Sequence, residues 1–553
     1  MATSRQAAAE GQLVDQTNIL PKGRLLILYT TLSLSLFICY ADQNGIAVAL
    51  PTVARELNAA NTISWAGTSA LIANTVFQVL YGRLSDIFGR KVVYLSAIVL
   101  LVIADILCSI APNAESLYVF RALAGIANGG INSLTMMIVS DVVTLKQRGK
   151  YQGILGAFIG LGNTFGPLVM AAFAQGSTWR GFFYLLAPMG ALCAISGWFL
   201  VPSKPVEGRG IEKVKLIDWW GILTGTVAVV FLLIPISGGG SYFEWSSALV
   251  ISMLTIGSIA ALAFVGVERW VARLPMTPLS MFSNIPIAAM LSQNFLFGMA
   301  YYSELYYIPL YLENVRGYTP LVSAALTVPL VIAQASISAV SGQYISRMGR
   351  YGEVLWSGFG MWLLGAGLMI MFNRGTSIVA IVFINLVTGL GVGNVFQPIL
   401  VALQAHAPKA QRAVIISNRN FLRSLGGAVG LAISAAVMQA SLAAALPDEL
   451  SYIASSTYSR VDLASYTTDE RNQILDAYSS ALRTVFIWLT PLVGLCLVLC
   501  ILVKDQGLEQ KEGPSEKGPD VENPKHDVDG RESDSEDHKS DSEGRKSGID
   551  GEK

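Results

Sequence analysis

Four charged side chains interrupt stretches that are otherwise almost wholly apolar: Asp42, Asp105, Arg121 and Glu304. A charge at the centre of a membrane-crossing helix costs about 2.5–3.5 kcal/mol on insertion scales, so one that persists has a partner, cavity water or a proton to exchange. Counted at about 1.5 Å per residue from the nearest outer loop, all four lie roughly 10–13 Å deep, at similar levels. Burial favours the neutral carboxyl, whereas a neighbouring guanidinium favours the ionised one. A carboxylate that gains and loses such a neighbour takes up and releases a proton. That is the chemistry these residue types offer. Tyr301 and Tyr302, in an aromatic-rich stretch, offer a wall for a planar ligand, and Asn132, Gln293, Asn294 and Gln397 offer polar contacts that equally suit interhelical hydrogen bonds. Enzyme chemistry has little to work with. The three histidines, His406, His526 and His538, lack a metal or nucleophile constellation, and no GxxxxGK[ST] phosphate loop is present.

The elements that must position these groups follow from composition. Of 553 residues, 53% are apolar and 14% charged, against roughly a quarter charged in soluble chains. The formal charge of zero averages two unlike parts: after Val503 stand 9 basic and 16 acidic residues, leaving 29 basic against 22 acidic before it. A basic, apolar body with an acidic tail excludes a nucleic-acid binder. The five cysteines lie in apolar runs without the spacing of a zinc site or a disulfide framework. Runs long enough to cross a bilayer as helix fall near 25–50, 63–81, 92–111, 117–139, 152–173 and 182–201. Two more lie near 219–236 and 248–267. The last six lie near 285–312, 321–342, 354–372, 378–403, 421–446 and 482–503. The expectation is an all-α polytopic membrane protein with about 14 spans, since only helices satisfy backbone polar groups in lipid without a closed barrel.

Short loops after even-numbered spans hold seventeen Lys and Arg, Arg419 among them, against six after odd-numbered spans. This places both termini in the cytoplasm. The first twenty residues lack the apolar core of a cleaved signal peptide, and the tail reads as disordered. The connection 446–481 reads as a solvated loop or a short surface helix.

GRLSDIFGRK, Gly82 to Lys91, follows the second span, and GQYISRMGRY, Gly342 to Tyr351, follows the tenth, at an offset of 260 residues. Repetition at corresponding turns marks duplicated halves of a transporter. The expected organisation is a cytoplasmic segment 1–24, a six-helix half 25–201, two inserted helices with linkers 202–284, a second half 285–503 and an acidic tail 504–553. The turn resembles the signature of the major facilitator superfamily. YADQNGIAVALP, Tyr40 to Pro51, resembles the first-helix motif of its 14-helix drug:proton antiporter group. RALAGIANGG, Arg121 to Gly130, resembles the fourth-helix motif, with Ala124 where glutamine is usual. Gly153, Gly162, Gly166 and Pro167 keep the antiporter spacing in the fifth helix, although Met170 and Ala171 replace a glycine pair. SGGGSYFEW and the run from Gly391 to Gly430 look like fungal members that export toxins or secondary metabolites.

That resemblance implies the major facilitator fold and proton-coupled export of a small organic compound by alternating access. Its driving force is the proton gradient, with no cofactor and no enzymatic activity, and the unit is a monomer in the plasma membrane. A vacuolar amino-acid exchanger and a siderophore carrier are the alternatives. It also implies that the first and fourth helices line the central cavity side by side, which makes Asp42 the coupling acid and Arg121 its partner. By the repeat, the ninth helix corresponds to the first, so Glu304 is expected to face the cavity, whereas Asp105 is expected in a structural pair off the cavity. Gly82, Asp86, Gly89 and Arg90 form the gating turn, in which Asp86 caps a helix and bonds basic partners, and the glycines bring the second and third helices together. The glycines of the fifth helix are expected to face a helix of the other half.

Overall fold

The computed structural model describes residues 6, 9–10, 18–59, 62–63, 65–202, 213–238, 243–447, 450 and 466–508. Most of the segments 1–24 and 504–553, the linker 203–212, the stretch 239–242 and the loop 451–465 lie outside the described residues, and with them the expected disorder of the tail.

Every long element described is a helix: α1 Lys22–Glu56, α2 Trp65–Phe88, α3 Arg90–Ser109, α4 Ala114–Val142, α5 Leu145–Gly176, α6 Arg180–Leu200, α7 Trp219–Gly238 and α8 Ala248–Gly266. Then follow α9 Ile285–Asn314, α10 Pro320–Met348, α11 Gly352–Met369, α12 Ile378–Phe396, α13 Pro398–His406, α14 Arg412–Ala445 and α15 Thr468–Leu499. The α12 helix breaks at Gln397 because Pro398 has no amide to continue it, and α13 carries on the same span. Eleven spans among the described residues are long and apolar enough to cross a membrane. The remaining long helices α2, α9 and α11 bury polar or aromatic side chains and fall short of that test, so length and apolarity alone establish eleven rather than fourteen.

Local sequence sets the helix starts. Asn113 and Ser116 form a capping box at α4, and Thr467 and Glu470 another at α15. Ser247, Thr319 and Ser377 accept from backbone amides at α8, α10 and α12. Helix α14 starts nine residues before the hydropathic stretch at 421, because Asn418, Arg419 and Asn420 are buried within protein rather than facing lipid. Helix α15 likewise starts at Thr468, inside the segment read as loop.

The repeated turn has the same anatomy in both copies. Gly89 (φ 93°, ψ 147°) and Gly349 (φ 71°, ψ 6°) both take a positive φ that favours glycine, Gly349 in the left-handed helical region and Gly89 in an extended one, and each lets one helix stop and the next begin. The first glycine of each copy serves contact instead. Gly82 lies against Ser417 of α14, not against α3 as expected from sequence. Gly342 meets the backbone of Gly149 and Gly153 on α5. The glycines of α5 divide their labour. Gly149, Gly153, Gly156 and Gly160 face α10, while Gly162 and Gly166 face Phe37, Tyr40 and Ala41 of α1. The stripe thus clamps α5 between two helices, one from each copy of the repeat, and the antiporter-type spacing is split between them.

Helices α7 and α8 pack on each other, and α7 rests on α2 and α14, where Ile72, Val76, Val229, Leu233 and Ala428 share an apolar cluster. On α8 only Val250 and Gly257 are buried among its residues.

Replacing Gly166 by valine sets a Cβ 2.6 Å from the Ala41 Cα. The expected overpacking cost is about 1–3 kcal/mol, visible as a lower melting temperature in detergent. Gly176→Ala, which meets open space, is expected to leave that temperature unchanged.

Candidate functional site

Asp42 on α1 and Arg121 on α4 are both fully buried and joined by an Nη1–Oδ1 contact of 2.5 Å. Arg121 also donates Nη2 to the Asp42 carbonyl at 3.3 Å and Nε to the Ala66 carbonyl at 3.3 Å. The second carboxylate oxygen accepts from Asn128 Nδ2 at 2.7 Å. Asn128 follows Arg121 by two helical turns and therefore shares its face. That periodicity within an apolar run was the signal by which sequence could have found it. The Phe183 ring lies 5.7 Å from the guanidinium and closes its other side.

Asp105 on α3 departs from expectation. It is buried beside Asp42 and Arg121 instead of in a pair of its own, and its carboxyl oxygens meet no hydrogen-bond donor among the described residues. The structure therefore brings two carboxyls and one guanidinium together where sequence reading placed one of each. If all three were ionised, the cluster would carry one negative charge in surroundings without solvent. A single proton makes it neutral.

Glu304 joins no such cluster. Both its oxygens accept from Trp362 Nε1, at 3.1 and 2.9 Å, which ties α9 to α11 within an aromatic stack of Phe297, Phe359 and Trp362. The carboxylate is buried by that stack, with Trp362 as its partner. Gln293 likewise turns to α15, donating to the Cys496 carbonyl at 2.8 Å. Tyr301 is buried and donates to Gln334 at 3.0 Å, whereas Tyr302 beside it is half-buried over Gly427.

The other amides gather at the meeting of the two sets of helices. Asn132 accepts from the Tyr40 hydroxyl at 3.3 Å, Asn294 accepts from Arg419 Nε at 3.0 Å, and Gln397 is buried beside Gly156 with neither amide atom partnered among the described residues. Arg419 is a correction. Counted from sequence as a loop cation, it is fully buried inside α14, as are Arg83 in α2 and Arg148 in α5 within theirs. Arg90, counted with them, is also buried at the start of α3, so these four carry tertiary contacts and the loop count for orientation rests on the remaining residues.

At the repeated turn, Asp86 pairs with Arg90 at 2.8 Å and with Arg83 at 3.7 Å, both within its own turn, and no helix-capping bond from Asp86 is found among the described residues. Arg90 reaches Asp141 of α4 at 2.9 Å, and Arg83 reaches the Pro275 carbonyl at 2.6 Å and Glu10 at 2.9 Å. The turn is therefore tied to α4 and to the segment after α8.

A helical membrane bundle with a repeated turn, buried charges between its first and fourth helices and amides between its repeats has the build of a secondary transporter. The family model for the Major Facilitator Superfamily matches residues 32–431, and the chain belongs to that superfamily. It is 50% identical over 522 residues to citrate exporter 1 of Yarrowia lipolytica, covering 93% of this chain and 77% of that one. It is 40% identical over 512 residues to the MFS-type transporter clz4 of Cochliobolus lunatus, covering 92% and 91%. With efflux pump dotC of Dothistroma septosporum it shares 32% over 425 residues, covering 76% and 73%. Among solved structures, the human organic anion transporter MFSD10 superposes with a TM-score of 0.57 at 13% identity, covering 88% of this chain and all of that one. The proton:xylose symporter XylE gives 0.54 at 14%, covering 89% and 98%. These two likenesses concern the fold. The chain is thus a multi-pass membrane transporter and not an enzyme.

Trp362→Phe keeps the ring but leaves the buried Glu304 carboxylate without its donor. The expected destabilisation is about 1–3 kcal/mol, read from thermal unfolding in detergent, and adding Glu304→Leu is expected to recover much of it by removing the unsatisfied group.

Proposed function

We propose that this chain is a proton-coupled exporter of a small organic compound, working by alternating access between its two repeated six-helix halves. The observation that carries the reading is the fully buried Asp42–Arg121 pair, braced by Asn128 and adjoined by Asp105. Export of a solute against its gradient needs an input of free energy. One proton supplies about 1.4 kcal/mol per pH unit and about 2.3 kcal/mol per 100 mV.

The coupling follows from charge balance. While Arg121 holds Asp42, the neutralising proton resides on Asp105. When the halves tilt and the α1–α4 contact loosens, Asp42 takes a second proton from the side then open, Asp105 keeps its own, and the cluster carries one positive charge until the contact re-forms. Re-forming the first contact drives the proton out on the other side. Gly82, Asp86, Gly89 and Arg90 would hold shut the end at which α2 and α5 meet α14 and α10. Gly153, Gly162, Gly166 and Pro167 would let α5 slide between α1 and α10. The efflux pump name of dotC and the citrate exporter name of another fungal relative support an outward direction; the excess of basic residues in the even-numbered loops supports cytoplasmic termini.

Asp42→Asn is expected to abolish uphill export with surface expression near normal, because Asp105 remains to balance Arg121. Unimpaired uphill export by that variant would remove Asp42 from the coupling role. Collapse of the pH gradient with a protonophore is expected to stop accumulation in sealed vesicles; export that continues without the gradient and fails only on ATP depletion would refute antiport.

A further inference from the structure

Two arginines in α14 lie one turn apart and bear no acid. Arg419 is fully buried and Arg423 is 1% exposed, and both guanidiniums stand over the ring of Phe396, at 5.3 and 4.6 Å. Arg419 spends its donors on neutral groups: Nε on Asn294 Oδ1, Nη1 on Asn420 Oδ1 and Nη2 on the Phe396 carbonyl. Arg423 spends almost none. Its Nη2 donates to the Tyr40 hydroxyl at 3.2 Å, while Nε and Nη1 are buried without a partner among the described residues. Among the described residues neither guanidinium meets a carboxylate. Two positive charges in a bundle interior, with a fork of buried donors left open, is an arrangement that protein alone does not balance.

The surroundings say where the missing charge belongs. Tyr40 comes from α1 and Met136, whose sulfur lies 3.9 Å from Arg419, from α4. Ser424 of α14 reaches Gln78 of α2 at 3.3 Å. The arginines therefore sit at the junction of the two repeats, which is where transporters of this build hold substrate. Tyr302, half-buried and adjacent, covers the spot from α9. Guanidiniums bind carboxylates through paired N–H donors, and two of them a helical turn apart match a molecule carrying two or more carboxylates on a short carbon chain.

We propose that Arg419 and Arg423 form the substrate subsite and that its ligand is an organic di- or tricarboxylate. Arg423 supplies the open fork, and Arg419, held rigid by its amide partners, supplies the second charge. The assignment deepens the transport reading above and rests on it for the direction of movement, but ligand binding itself requires no gradient.

Equilibrium binding of radiolabelled citrate to the full chain in lipid nanodiscs, at fixed pH and without a gradient, tests it. Citrate is expected to bind, succinate to compete more weakly, and acetate, inorganic phosphate and trimethyl citrate to compete poorly. Arg423→Gln is expected to weaken citrate binding by about thirtyfold or more, as for truncation of a desolvated charge pair, with Arg423→Lys recovering part of the loss. Asp42→Asn is expected to retain binding while losing uphill transport, which separates failure of coupling from failure of the subsite. Citrate affinity unchanged in Arg423→Gln, displacement by phosphate as strong as by succinate, or binding of tetraphenylphosphonium in place of citrate would each overturn the proposal. Where Arg423→Gln does not fold, comparison of citrate with its trimethyl ester on the unaltered protein decides alone.

Discussion

A guanidinium inside a bundle of lipid-facing helices must be answered by something, and most of the arrangement described here is a set of answers to that demand. Arg121 is answered by Asp42, with Asn128 fixing the second oxygen of the acid. Arg90 is answered by Asp86 and Asp141. Arg419 is answered by amides and a backbone carbonyl, which supply dipoles but no charge. Arg423 is answered least of all. The gradation from full ionic compensation to none runs from groups that hold the bundle together to groups that leave room for something else.

Much of this was legible in the residues. The resemblance to the major facilitator superfamily set the first and fourth helices side by side, so an acid before a VALP run and an arginine in the fourth apolar stretch were expected to pair, as charges in lipid rarely persist without a partner or cavity water. The repeat of Gly82 and Gly89 at Gly342 and Gly349 announced duplicated turns, and both second glycines do adopt a positive φ. Arg419 was misread for a physical reason. Apolar windows detect surfaces that face lipid, whereas the first turns of α14 face protein, so the helix appeared to start at Phe421 and its arginine appeared to lie in a loop. Glu304 is a different case. The repeat leads to the expectation that its helix corresponds to the first, but the orientation of one side chain depends on Trp362, some 58 residues away, and no periodicity within α9 reports that.

Asp105 shows how charge and packing combine. Sequence depth placed it level with Asp42 and Arg121, but which faces of α1, α3 and α4 meet is a property of the assembled bundle. Once they meet, a third titratable group comes with the pair, and the number of protons in the cluster becomes a matter of electroneutrality rather than of any one residue. The glycines of α5 work on the same scale. By letting α1 and α10 approach a common helix, they make the positions of Asp42 and of the α10–α12 wall depend on one another.

The inserted pair has a mechanical corollary. Because α7 leans on both α2 and α14 while α8 buries little beyond Val250 and Gly257, a change of angle across that seam is handed outward to a helix bathed almost entirely by acyl chains. Under the proposed tilting of the halves, part of the work of each turnover is done on the bilayer, whose thickness and lateral pressure then enter the rate.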